Sequence, residues 1–149
     1  PKIYIKTPEQ IEGIRKSSKL AASVLDMITA YVKPGISTDE LDQICNTYIL
    51  KNGGVSACID YKGNNTWGKG GYSKYTCISL NDVVCHGVPT QKEILKEGDI
   101  LNIDVTTILD GYIGDTSRMY TVGKTTQKRE KLIEMTRTCL EIGIKQVYP

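Results

Sequence analysis

Two aspartates, Asp104 and Asp115, stand eleven residues apart in NIDVTTILDGYIGDTSRMY (102–120), and both fall in runs that read as β-strand. Asp is depleted in strands, so carboxylates placed there ask for a reason. Asp110-Gly111, between the two runs, is a strong signal for a two-residue hairpin loop. With that loop Leu109 faces Tyr112, and the numbers of paired residues sum to 221. Thr106 then faces Asp115, and Asp104 faces Ser117. Asp104 and Asp115 become diagonal neighbours on one face, about 7–8 Å apart at the backbone and within reach of each other's side chains. Leu101, Ile103, Val105 and Leu109 take the opposite, core-like face. Two carboxylates converging in a partly dry site repel each other unless something neutralises them. A divalent cation does so, and oxygen donors suit hard or borderline metals. The competing reading is a pair of solvated surface acids, the usual state of Asp. The in-strand placement and the flanking hydroxyls weigh against that reading without deciding the matter.

His86 is the only histidine. A single histidine is more often a structural residue than a ligand. In a strand VVCH (83–86), Cys85 and His86 would point to opposite faces, which makes them a poor nucleophile pair. Cys77 with His86 is a conceivable hydrolase pair, but no Asn or Asp motif is present to orient the imidazole. Residues Gly63 to Lys69 imitate a phosphate-binding loop. Gly70 stands where that loop needs Ser or Thr, and no helix signal follows.

The elements that must position these residues are legible too. Thr7, Pro8 and Gln10 form a helix start with a capping box. Ile11, Ile14, Ala21, Leu25, Ile28 and Val32 then keep a core-facing spacing, with Ser18 the polar exception, up to Pro34-Gly35. Ser37 and Glu40 open a second helix carrying Leu41, Ile44, Tyr48 and Ile49, stopped by Gly53-Gly54. Short strands are expected at 55–59 and 76–80, and a third at 83–86. The Gly- and Asn-rich segment 62–75 between the first two should be an exposed, mobile loop. Trp67 or Tyr72 could bring it over a pocket near Cys58 and Cys77. A last helix should run from about Gln127 to Val147. Shifted by 115 residues, Leu20, Val24, Leu25 and Met27 fall on Met135, Cys139, Leu140 and Ile142, a weak echo of the first helix.

Composition bounds the answer. A chain of 149 residues, 40% hydrophobic and 24% charged, suits one ordinary domain. A net charge of +2 without a dense basic block argues against a specific nucleic-acid partner. No apolar run reaches the roughly 20 residues of a membrane span. Five cysteines without a CxxC pair fit reduced thiols and a cytoplasmic location. Asn64-Asn65-Thr66 is a sequon with nothing else suggesting secretion. The start at Pro1 without Met reads as processing or trimming.

IKTPEQIEGIRKSSKLAA, YVKPGISTDELDQIC, VSACIDYKG, CISLNDVVCHGVP, EGDILNIDVT and DGYIGDTSRMYTVG together resemble the N-terminal half of a type I methionine aminopeptidase. The pairing of NIDV and GDTS with VCHG upstream is the specific part. The resemblance implies an α+β chain, the first half of a pita-bread fold. Two N-terminal helices lead into antiparallel strands, followed by the first helix of the second half. Residues 1–149 would be a single portion of the catalytic domain, lacking its C-terminal half. The implied activity is removal of the initiator methionine from peptides and nascent chains, with the ribosome as a neighbour and no membrane. Asp104 and Asp115 match two ligands of a site for two divalent metal ions, of the Co, Mn, Fe or Zn kind. His86 matches a catalytic histidine that contacts the substrate near the scissile bond. Cys58, Tyr61 and Cys77 match positions lining the pocket for the methionine side chain. The family's other ligands, one His and two Glu, have no counterpart before Pro149, so the cage is half built within this stretch. A truncated relative that binds peptides without cutting them is the alternative.

Overall fold

A computed structural model describes residues 3–62 and 70–148. Trp67, Gly63, Gly68, the sequon and the loop that imitates a phosphate-binding turn lie outside the described residues.

Helix α1 (Pro8–Ile28) starts at the expected capping box, with Thr7 Oγ1 accepting from Gln10 N and Gln10 Oε1 accepting from Thr7 N. A single 3-10 turn over Thr29–Tyr31 closes it. Helix α2 (Thr38–Lys51) starts at the second box, where Ser37 and Glu40 cap each other. It ends at Asn52, and Gly53 follows with a φ of +79°. Strands β1 (Val55–Ser56), β2 (Cys77–Leu80), β3 (Ile100–Leu109) and β4 (Tyr112–Thr121) form one antiparallel sheet, followed by helix α3 (Gln127–Lys145). The fold is thus the expected α+β arrangement of helices first, then antiparallel strands.

The hairpin follows the expected register throughout, from Leu109↔Tyr112 to Ile100↔Thr121. Asp110 and Gly111 both take positive φ, 51° and 80°. That is the twist a two-residue turn needs between right-handed strands. β4 occupies one edge of β3. β1 and β2 share the other edge, end to end, pairing with Thr107–Ile108 and Leu101–Asp104. Both helices cover one face only. Leu101, Ile103 and Val105 of β3 are buried there against Ala21, Val24, Leu25 and Ile28 of α1 and Leu41, Cys45 and Ile49 of α2.

Three expectations need correction. Ser17, not Ser18, is the polar residue inside the α1 stripe. It is fully buried, its Oγ donates to Thr107 O, and Thr107 Oγ1 donates back to Ser17 O. Ile11, expected on the core face, is 46% exposed. Residues 83–86 are not a strand. After an Asn81 turn at a φ of +51°, the returning chain meets β2 through Ile78 N to Gly87 O and through Gly87 N to a side chain, Ser79 Oγ. The rung is left half made, because the Gly87 N–H goes to the Ser79 hydroxyl rather than to a β2 carbonyl. α3 buries none of its residues, and Met135 and Leu140, the echoes of buried Leu20 and Leu25, are 52% and 63% exposed.

Gly114 fixes how closely α1 approaches the hairpin. A Cβ there would stand 2.3 Å from Ser18 N and 2.4 Å from the Ser17 carbonyl carbon. Both are backbone atoms and cannot swing aside. Gly114→Ala is expected to cost about 1–3 kcal/mol, the usual penalty of overpacking. Thermal unfolding measures it, and an unchanged Tm would show that α1 can shift freely.

Candidate functional site

The site lies on the uncovered face of the sheet. The side chains of β3 alternate, so the residues between the core positions, Asn102, Asp104, Thr106 and Ile108, face away from the helices. The register puts Asp104 opposite Ser117 and Thr106 opposite Asp115. Thr106 Oγ1 donates to Asp115 Oδ1 at 3.1 Å. Asp104 is held above the ordinary carboxylate range, first by burial and then by the Asp115 charge, with His86 pulling the other way. The two carboxylates and the imidazole therefore feel one another.

All three border a cavity of about 460 Å³. Its other walls are Ala57, Cys58, Tyr61, Tyr72, Cys77, Thr106, Ile108 and Ile113. Every site residue expected from the sequence is in this set. Cys77 reaches it as the direct cross-strand partner of Asp104. Cys58 follows the end of β1, and its N–H bonds to Ser56 Oγ at 3.0 Å. A side-chain hydrogen bond from Cys77 lowers the Cys58 thiol, and the same bond together with burial raises Cys77. Tyr61 is 63% exposed at the rim. His86 also sits on an exposed surface, with a φ of +55°, in the segment leading to Pro89. Gly87 locks that segment down: a Cβ on it would lie 2.1 Å from Ile78 O.

Tyr72 resolves part of the pocket question. It is 3% exposed, so this part of the 62–75 segment is not the exposed loop expected. Its hydroxyl donates to Thr76 O at 2.8 Å and to Gly87 O at 3.0 Å. The ring thereby ties the loop beside Cys77 to the segment carrying His86. Sequence reasoning missed Thr106, Ile108 and Ile113 as wall residues, although a signal was available. Thr106↔Asp115 and Ile108↔Ile113 follow from the same pairing rule that brought the aspartates together. A second hollow, about 480 Å³, lies at the far end of the hairpin between Asp110, Tyr112 and the first turns of α1. It contains neither thiol nor imidazole.

Residues 12–149 match the model of metallopeptidase family M24, and the chain belongs to that family. Its place within the family is equally plain: it matches the type I methionine aminopeptidases, which have the pita-bread fold. It is 52% identical to the methionine aminopeptidase of Escherichia coli strain K12 over 148 residues, covering 99% of this chain and 53% of that protein. The crystal structure of methionine aminopeptidase from Rickettsia prowazekii superposes with a TM-score of 0.92 at 44% identity, covering 99% of this chain and 56% of that one. The Thermotoga maritima enzyme gives a TM-score of 0.89 at 33% identity, covering 99% and 56%. The chain therefore spans about half the length of the relatives it matches. Among the described residues, no helix is long and apolar enough to cross a membrane.

Proposed function

We propose that these residues form the peptide-binding half of a metal-dependent methionine aminopeptidase site. The observation that supports this best is the convergence of Asp104, Asp115 and His86 on one cavity whose remaining walls are aliphatic and tyrosine side chains, two thiols and the Thr106 hydroxyl. A donor set of two carboxylates suits a divalent cation, and the burial and the neighbouring Asp115 charge that together raise Asp104 are what such a cation would offset. When bound, the cations supply Lewis-acid polarisation of the peptide carbonyl and activation of water. The chain's own residues would do the rest. Asp104 and Asp115 would donate oxygens to the ions. His86 would hydrogen-bond the substrate beside the scissile bond. Cys58, Cys77, Tyr61 and Tyr72 would enclose an unbranched thioether side chain, which sulfur and aromatic surfaces favour.

Two carboxylates alone are a poor cage. Among the described residues, no group of three or more His, Cys, Asp or Glu side chains is arranged to hold a metal ion. We therefore read the 149-residue chain as a binder of peptides with N-terminal Met rather than a competent catalyst. Purified chain with added Co²⁺ or Mn²⁺ is expected to bind the ion weakly and to release no Met from a Met-Ala peptide. Supplying the rest of the fold, in cis or as a separate chain, should restore tight binding and turnover. Chelator-sensitive turnover by the homogeneous chain would overturn this reading.

A further inference from the structure

We propose that Cys58 and Cys77 form a redox-modification site, at which hydrogen peroxide joins the two thiols into a disulfide across the wall of the pocket. The sheet topology supports it. β1 and β2 lie end to end on the same edge of β3. Ala57 N still donates to Thr106 O, while Cys77 pairs with Asp104. These two ladder positions are two residues apart along β3, or about 7 Å at roughly 3.4 Å per residue. Cys58 is one residue beyond Ala57, in the direction of Cys77. Another step along the ladder would run it into β2, so the chain turns aside there, and the Cys58 N–H bonds to Ser56 Oγ instead. The two cysteines thus meet at the gap between the ends of β1 and β2, where a disulfide would need their Cα atoms about 4.4–6.8 Å apart.

Their environment fits the chemistry. Both are half-buried and free, and both line the same cavity. The other three have no such neighbour in that cavity: Cys45 is sealed in the core, and Cys85 and Cys139 are exposed elsewhere. A small peroxide can enter an open pocket of about 460 Å³. One thiol sulfur attacks the peroxide O–O bond, becomes a sulfenic acid and releases water. The second sulfur then displaces the hydroxyl, the S–S bond forms, and its proton leaves in a second water. Two thiols lose two electrons and one peroxide gains them, giving two waters. The bridge would replace two adaptable thiols with a fixed wall. The expected loss of thioether binding rests on the proposed function, whereas formation of the bridge does not.

The test uses a chain carrying Cys85→Ser and Cys139→Ser, which prevents cross-links between molecules. It is treated with a small excess of hydrogen peroxide, denatured, alkylated, digested without reductant and weighed. The expected result is a peptide pair joined through Cys58 and Cys77, cleaved by dithiothreitol, with only Cys45 alkylated. Adding Cys77→Ser should abolish the pair and leave Cys58 as sulfenic or sulfinic acid. Recovery of both thiols in alkylated form, or their separate over-oxidation without a joined pair, would overturn the proposal. Binding of methionine amide, followed by NMR before and after oxidation, separates the two claims. Failure of the reduced chain to bind would count against the peptide-pocket reading alone. Undiminished binding by the bridged chain would remove the proposed effect on the pocket.

Discussion

Asp104→Asn, in a chain carrying the whole fold and loaded with metal, is expected to lose at least about a hundredfold in kcat/KM. Losing a group that merely supports a metal ligand costs about 10–100-fold in metal affinity or activity, so a direct oxygen donor should cost no less. Asn keeps the size and one oxygen but removes the charge that neutralises the cation. The metal-free chain should respond in the opposite direction. There Asp104 is a half-buried carboxylate beside Asp115, and both burial and that neighbour oppose its charge. Removing the charge relieves both costs, so Tm should rise while metal affinity falls. Loss of function with gained stability is the pattern of a functional residue held at a structural cost. Calorimetric titration with Mn²⁺ and thermal unfolding check the two halves separately. Unchanged metal affinity would show that Asp104 is not a ligand, and a lowered Tm would show that it is instead a structural acid.

The hairpin was the most legible part of the chain, because its determinants are local. Asp110 and Gly111 accept the positive φ values of the turn, and from that pair the register of ten residue pairs follows. The shared face of Asp104 and Asp115 is a consequence of register, so it was legible as well. The two capping boxes were equally local. What stayed hidden depends on partners distant in sequence. Ser17 looks like a surface residue until Thr107, 90 positions later, takes its hydroxyl. Val83 and Val84 have strand-forming side chains, yet Asn81 turns sharply and Gly87 packs against β2 through a side-chain contact. Tyr72 is buried beside the cavity, where its backbone pairs with Asp60 N and Tyr61 O. No apolar period in 62–75 announces that. The apolar positions of α3 that echo the first helix have no cover among the described residues.

Asp42 is the largest case of this kind, and Asp42→Ala is expected to be the most destabilising single change here, by about 2–5 kcal/mol. On the sequence it is one more acid in the first turns of α2. In the fold it is fully buried. Its Oδ1 accepts from Tyr75 N at 3.1 Å, Thr76 N at 2.8 Å and Thr76 Oγ1 at 2.7 Å. Alanine would leave the buried Thr76 donors and the half-buried Tyr75 N–H without their acceptor, at about 1–3 kcal/mol for each buried group left unpaired. Thr76 immediately precedes β2, so the damage should reach Cys77 and raise its alkylation rate. Asp42→Asn separates hydrogen bonding from charge. It keeps the accepting oxygen but sets an amide NH2 where the buried Oδ2 has no partner, so it should lose about 1–3 kcal/mol, less than Ala. Burial is the main reason the Asp42 carboxyl sits above its ordinary value of 3.8, the three hydrogen bonds opposing it only in part. The folded chain therefore holds this proton more tightly than the unfolded chain does. The resulting cost is absent below the unfolded value and grows as pH rises through the raised one. Asn avoids that cost, so the variant should gain on the parent as pH rises from about 4 toward neutrality. Urea unfolding of the three proteins at several pH values tests this. Equal losses for Ala and Asn would show that the negative charge, rather than the three accepted hydrogen bonds, holds the start of β2 in place.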